Sequence, residues 1–286
     1  MPVYRPARPL VLALGTRRVD VTTRALVMGI LNRTKDSFYE PAATYDLDGF
    51  YRRAEQLVGD GADLLDVGVV KAGAGEEVSE QEELDRVVPV IGELAKRFGL
   101  PLSVDTWRAS VAKASFEAGA CVGNDISGFS DPEYLSVAAK AKATVVATHI
   151  RLRPRVADPT PHYDDVTNAV TEFLLERRRW SREAGLSDEQ IVLDAGLDLG
   201  KTAAHSLQLL RHSDQLAALG SPLLLSASNK TFLGVLFELG VTHRREASLA
   251  AMAIGVTLGC RIVRVHDVAG TVRVRDVLAR LSEVAT

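Results

Sequence analysis

Short runs of Val, Ile and Leu recur along the chain, and longer amphipathic stretches separate them. The short runs predict strands at 25–31, 63–67, 101–105, 121–125, 144–149, 191–194, 223–226 and 262–266. Each is continuously apolar rather than alternating, so both faces are covered, as in a parallel sheet wrapped by helices. The longer stretches predict helices that include 79–98, 109–118, 163–183, 206–219, 244–258 and 271–284. Ser79-x-x-Glu82 and Ser187-x-x-Gln190 have the spacing of capping boxes at helix starts. Strands and helices alternating in this way predict an α/β fold, a single-domain (β/α)8 TIM barrel. Residues 25–286 form the barrel in this reading, and residues 1–24 a hairpin closing its floor. The stretch 151–162, with three prolines, reads as a long loop leaving a strand.

Composition narrows the class. The chain has 286 residues, 34 basic and 37 acidic, for a formal net charge of -3. No basic run marks a nucleic-acid or membrane surface, and aromatic residues at 6% are too sparse for a base-stacking platform. Cys121 and Cys260 have neither disulfide-framework nor zinc spacing. The early apolar run "LVLALG" is too short to span a bilayer and lacks a signal-peptide cleavage site. The expectation is a cytoplasmic enzyme.

Barrel chemistry sits where strands end. The predicted strand ends carry Asn32, Asp66, Asp105, Asn124 with Asp125, His149, Asp194, Ser226 with Ser228 and Lys230, and Arg264 with His266. One polar residue leaving a core needs no explanation, and Asp105 or Asp194 alone would serve as a helix cap. The whole set does need one, because turn chemistry favours Gly, Pro and Ser over Asp, Asn, Lys, Arg and His. Asp105, Asn124 and Asp194 offer acceptors and an amide to a flat ring edged with N–H groups. Lys230, Arg264 and His266 offer donors and positive charge to a carbonyl or a phosphate. His149, His162, His205, His212 and His243 have no partners at metal-ligand spacing and read as structural. "GLDLGKT" mimics a phosphate loop, but Ala195 stands where its first glycine belongs.

At these residues the sequence resembles the dihydropteroate synthase family of pterin-binding barrels. The motifs are "MGILNRTKDSF" (28–38), "GADLLDVG" (61–68), "SVDTWRASVAKASFEAGA" (103–120), "NDISG" (124–128), "LDAGLDLGKT" (193–202), "SNKTFLG" (228–234) and "RVHDVAGT" (264–271). The resemblance implies condensation of 6-hydroxymethyl-7,8-dihydropterin pyrophosphate with p-aminobenzoate in folate biosynthesis, with pyrophosphate released, Mg2+ assisting and a homodimer as the usual assembly. It implies that Asp105, Asn124, Asp194 and Lys230 hold the pterin. Arg264 matches the arginine that stacks on the ring and meets the pyrophosphate. His266 and Asn32 match pyrophosphate ligands, Asn32 also reaching the metal.

Three departures bear on the second substrate. Lys71-Ala72-Gly73-Ala74 stands where the family reads Ser-Thr-Arg-Pro, and Asn229 replaces the arginine of Ser-Arg-Lys. Arg33 and Lys35 are added in the first loop, and the usual proline after Asp194 is Ala195. The combination "NRT", "VKAG" and "SNK" is similar to the second, dihydropteroate-synthase-like paralogue of actinobacteria. A non-catalytic pterin-binding relative is therefore an alternative. A methyltetrahydrofolate-dependent methyltransferase is a further one, since those related barrels also carry a Ser-Asn pair after the seventh strand. Lys230 and "RVHD" are synthase features instead.

Overall fold

The computed structural model describes residues 4–33, 46–70 and 78–284. Strands β1 (Val11–Leu14) and β2 (Arg17–Asp20) pair as an antiparallel hairpin. The strands that follow are β3 (Leu26–Asn32), β4 (Leu64–Gly68), β5 (Leu102–Asp105), β6 (Val122–Asp125), β7 (Thr144–Thr148), β8 (Ile191–Asp194), β9 (Leu223–Leu225) and β10 (Cys260–Val265). They close in the order β10-β3-β4-β5-β6-β7-β8-β9, and every neighbouring pair is parallel. The helices are α1 (Leu47–Gly59), α2 (Glu80–Arg97), α3 (Ala109–Ala118), α4 (Tyr134–Ala141), α5 (Val166–Glu183), α6 (Ala203–Arg211), α7 (Ser213–Ala217), α8 (Thr231–Phe237), α9 (Arg245–Thr257) and α10 (Val268–Val284). This is the expected (β/α)8 barrel, with α7 and α8 as short additions, and each barrel strand lies within two residues of its predicted place.

Capping side chains set several helix starts. Ser79 Oγ accepts from the Glu82 N–H at the start of α2, as its spacing predicts. Asp165 accepts from the N–H groups of Thr167 and Asn168, so α5 begins later than the predicted 163. Thr202 caps α6 through the His205 N–H, three residues ahead of the predicted 206–219 helix. His212, at φ -101°, then divides that stretch into α6 and α7.

Side chains alternate between the barrel axis and the helix layer. Leu26, Met28, Leu64, Val122, Val146, Val192, Leu224 and Ile262 fill the axis and pack with Leu10, Leu12, Leu14 and Val21 beside the hairpin. Fully burying each such side chain contributes about 1.5–3 kcal/mol. The alternate strand positions, such as Val27, Leu65, Val104, Val145 and Val263, meet the helices in a second, larger cluster.

Polar contacts fasten the N-terminal segment. Thr144 Oγ1 donates to the Ala13 carbonyl. The buried Arg261 guanidinium on β10 donates to Tyr4 O (3.2 Å), Thr22 O (3.0 Å), Val256 O (3.0 Å) and Cys260 O (3.0 Å). Among the described residues no helix is long and apolar enough to cross a membrane.

Candidate active site

Two residues beyond the aliphatic layer, the inward face of most strands turns polar. Leu64 gives way to Asp66, Val122 to Asn124, Val146 to Thr148, Val192 to Asp194 and Ile262 to Arg264, while Ser103 leads to Asp105. Strand register adds a second alignment. Asn32 lies opposite Gly68, Gly68 opposite Asp105, and Asp105 opposite Asn124. A Cβ at Gly68 would stand 2.9 Å from Asn32 Oδ1 and 3.4 Å from Asp105 Cβ, so glycine lets these neighbours close up.

Arg264 joins three strands. Its Nε donates to Asp66 Oδ2 (2.6 Å) and its Nη2 to Asp105 Oδ2 (2.8 Å). Asp66 Oδ2 also accepts from Asn124 Nδ2 (3.0 Å), which leaves the Asn124 amide oxygen to accept from a ligand. Asp66 Oδ1 and Thr148 Oγ1 are buried and have no partner among the described residues. Such groups cost about 1–3 kcal/mol each until water or a ligand satisfies them.

The remaining residues come from the end of β8 and from the loops beyond β8, β9 and β10. Asp194 Oδ1 accepts from Gly196 N (2.8 Å), and Lys230 Nζ donates to Leu197 O (3.0 Å). Ser228 Oγ accepts from the His266 backbone N–H (3.2 Å) and lies 2.9 Å from His266 Nδ1. The serine hydroxyl thereby ties both the backbone and the ring of His266 to the loop after β9. Arg53 on α1 donates to His266 O (2.8 Å).

Burial raises the Asp105 pKa to about 7 against the opposing pull of Arg264, with the Asp66 charge reinforcing the rise. Arg264 stays protonated, because Asp66 and Asp105 hold its pKa above the ordinary value despite burial. Burial thus makes the Asp105 charge costly, and the Arg264 guanidinium is what opposes its loss. Burial also raises Asp194 and lowers Lys230. Burial, with Arg264, Arg53 and Lys230 nearby, lowers His266 to about 3, which favours its neutral imidazole. The mouth thus combines carboxylate acceptors with cationic and neutral donors.

Asp105, Asn124, Asp194, Lys230, Arg264, His266 and Asn32 all belong to strand ends or the loops that leave them on one rim. Arg33 donates to the Arg86 carbonyl of α2 (3.4 Å). Lys35 and Lys71 to Ala74 lie outside the described residues. His149 is buried and accepts at Nδ1 from Lys201 Nζ (2.8 Å), its pKa pushed to about 3 by burial and that ammonium. Lys201 Nζ also meets the Gly196, Leu199 and His149 carbonyls (2.9, 3.0 and 3.3 Å), so "GLDLGKT" spends its lysine on backbone.

Sequence reasoning did not assign roles to Thr148, Lys201 or Asp198, and it named Asp66 only among the polar strand ends. The polar residue inside the apolar run "LLDVG" was the available signal for Asp66. Among the described residues no cluster of three His, Cys, Asp or Glu side chains is placed to hold a metal. Asn32 supplies one hard amide oxygen, which suits a Mg2+ carried mainly by substrate phosphates and water.

A profile described as "Pterin binding enzyme" matches residues 28–266. The chain belongs to that family. Among pterin-binding enzymes it is 39% identical over 264 residues to the protein of Mycobacterium leprae (strain TN) named inactive dihydropteroate synthase 2, covering 90% of this chain and 91% of that one. It is 39% identical over 247 residues to the dihydropteroate synthase of Bacillus subtilis (strain 168), covering 86% and 84%. The crystal structure of Yersinia pestis dihydropteroate synthase with a sulfonamide drug superposes with a TM-score of 0.91 at 37% identity, covering 97% of this chain and 100% of that one.

Proposed function

We propose that the protein is a dihydropteroate synthase-type transferase that binds 6-hydroxymethyl-7,8-dihydropterin pyrophosphate and passes its pterin-methyl group to p-aminobenzoate. The observation that carries this reading is the Arg264 guanidinium bonded to Asp66 and Asp105, with Asn124 on the same Asp66 oxygen. Asp194, Asn124 and Asp105 accept from ring N–H groups, and Lys230 donates to the ring's oxygen. Arg264, His266 and Asn32 face the pyrophosphate oxygens. The methylene C–O bond breaks as the arylamine nitrogen attacks, and the electron pair leaves on pyrophosphate. The amine proton departs after the new C–N bond forms. Fixed donors lower the barrier by matching charge that grows on the leaving oxygens. When bound, Mg2+ neutralises part of that charge, with Asn32 as its protein ligand.

A cavity of about 220 Å³ beside Asp198 supports an arylamine acid as acceptor. Leu152, Val156 and Leu199 give it apolar walls, and its charged edges combine Arg153 and Arg155 with Asp158 and Asp198. Exposed Leu207, Val235, Phe237 and Ile254 on α6, α8 and α9 support a homodimer, which sedimentation at varied concentration tests.

One observation favours a second reading, a pterin binder without synthase activity. Asn229 stands where a second cation is expected and is absorbed by its turn. Its φ is +57°, its N–H donates to Ser248 Oγ (3.0 Å) and its carbonyl accepts from Arg244 (3.1 Å). Pyrophosphate release from the pterin pyrophosphate with Mg2+, with and without p-aminobenzoate, separates the two. Release that requires p-aminobenzoate and yields dihydropteroate fits the transferase. Pterin binding by calorimetry without release fits the binder, and no pterin binding overturns both.

A further inference from the structure

We propose that Asp198 is a positioning residue for Lys230, clamping the turn that carries it and setting the charge around its ammonium. This rests on the reading of Lys230 as a pterin-site donor.

Asp198 belongs to the loop between β8 and α6 and has φ +68°, in the left-handed region that favours glycine. Gly196 and Gly200 on either side have φ of +63° and +62°, so glycine would suit this position too. An aspartate here has a compensating use, and its contacts identify it. Its carboxylate accepts from the backbone N–H groups of Thr231 and Phe232, the latter at 3.2 Å. These are the first two residues of α8, directly after Lys230.

Lys230 occupies the N-cap position of α8, yet a lysine has no acceptor with which to cap. The missing cap arrives from another loop. The same loop takes the lysine side chain, since Leu197 O accepts from Lys230 Nζ at 3.0 Å. From the opposite side, Arg244 donates to the Asn229 carbonyl at 3.1 Å. The loop after β8 thus holds the Lys230 side chain at one residue and the backbone beyond it at the next.

Charge follows the same geometry. Burial favours loss of the Lys230 proton, and Asp198 leads the carboxylates that oppose it, ahead of Asp194 and Asp105. Arg264 repels the ammonium, and Lys201 and the neutral His266 complete its titratable surroundings.

The test is calorimetric binding of 6-hydroxymethyl-7,8-dihydropterin pyrophosphate between about pH 6 and about pH 9. Wild type is compared with Asp198→Asn, Asp198→Gly, Lys230→Met and the Asp198→Asn/Lys230→Met double variant, all checked for cooperative melting. Asp198→Asn keeps one oxygen at the Oδ2 place, within reach of both α8 N–H groups, while it removes the charge and the second acceptor. Its loss of binding at alkaline pH is expected to begin about one pH unit lower than in wild type. Asp198→Gly also loses the clamp and is expected to bind about tenfold more weakly across the range. In the Lys230→Met background, Asp198→Asn is expected to leave the profile unchanged, which excludes an effect through Lys201. An Asp198→Asn profile superposing on wild type overturns the proposal, as does a shift that survives Lys230→Met. A Lys230→Met variant that binds as wild type instead overturns the reading of Lys230 and the proposal with it.

Discussion

The same strands end in opposite ways. At the floor, Leu12, Leu14, Leu26, Met28, Leu64 and Ile262 close the axis with aliphatic side chains. At the mouth, two positions further along, Asp66, Asp105, Asn124, Asp194 and Arg264 occupy the corresponding inward places. Floor packing is non-directional and satisfied by the chain itself. The mouth leaves Asp66 Oδ1 and Thr148 Oγ1 without partners among the described residues. One end stabilises the barrel, and the other spends stability on a surface complementary to a ligand.

Arg264→Met tests the mouth most severely. It strands Asp66 and Asp105 without their shared counter-ion, and a loss of about 3–5 kcal/mol in urea unfolding is expected. Pterin affinity should fall at least about a hundredfold with it. Adding Asp66→Asn should recover part of the stability and none of the affinity. Recovered affinity would refute a ligand-facing role for Arg264.

Leu12→Ala attacks the other end. A loss of about 2–5 kcal/mol is expected, with pterin affinity of the folded protein unchanged. Calorimetry below the melting range checks this, and a joint loss of affinity would dissolve the distinction between the two ends.

Protonation sharpens the contrast further. Asp105 is raised to about 7 in the fold, so it contributes stability below its unfolded pKa and loses that contribution as pH rises through about 7. Asp105→Asn never ionises. Its melting temperature relative to wild type should therefore rise by on the order of 2–4 °C between about pH 5 and about pH 8. His149 and His266, both held near 3 by burial and neighbouring cations, give the opposite slope below about pH 6.5. That slope is common to both proteins and cancels in the difference. A constant difference would overturn the assigned direction.

The smallest effect belongs to the hairpin's fastening. Thr144→Val removes the donor to Ala13 O and is expected to cost about 1 kcal/mol without moving pterin affinity.

The barrel was legible because its strands are continuous aliphatic runs and period-two geometry places their ends on one rim. Helix ends were less so: Asp165 and Thr202 choose the starts of α5 and α6 by capping bonds that periodicity does not encode. Asn32, Asp105, Asn124, Asp194, Lys230, Arg264 and His266 were legible as polar residues at or just beyond strand ends, and the roles proposed for them come from the resemblance. Their wiring was not legible. Arg264 meets Asp66 across 198 positions, and a carboxylate inside "LLDVG" reads the same whether it supports a strand or anchors a guanidinium. Asp198 was hidden in another way, because a loop aspartate between glycines gives no sign of the distant helix it caps.

The Arg261 clasp has a consequence in time. Its guanidinium reaches back 257 positions to the Tyr4 carbonyl and 239 to that of Thr22. On its strand, Ile262 to Val265 pair with Leu26 to Gly29 of β3. During vectorial synthesis β3 emerges early, and one of its edges waits for β10 while nearly the whole chain is translated. Barrel closure is therefore a late, high-contact-order event, and the open edge before it is where misassembly competes. β3 therefore gains its second strand partner only once β10 has been made.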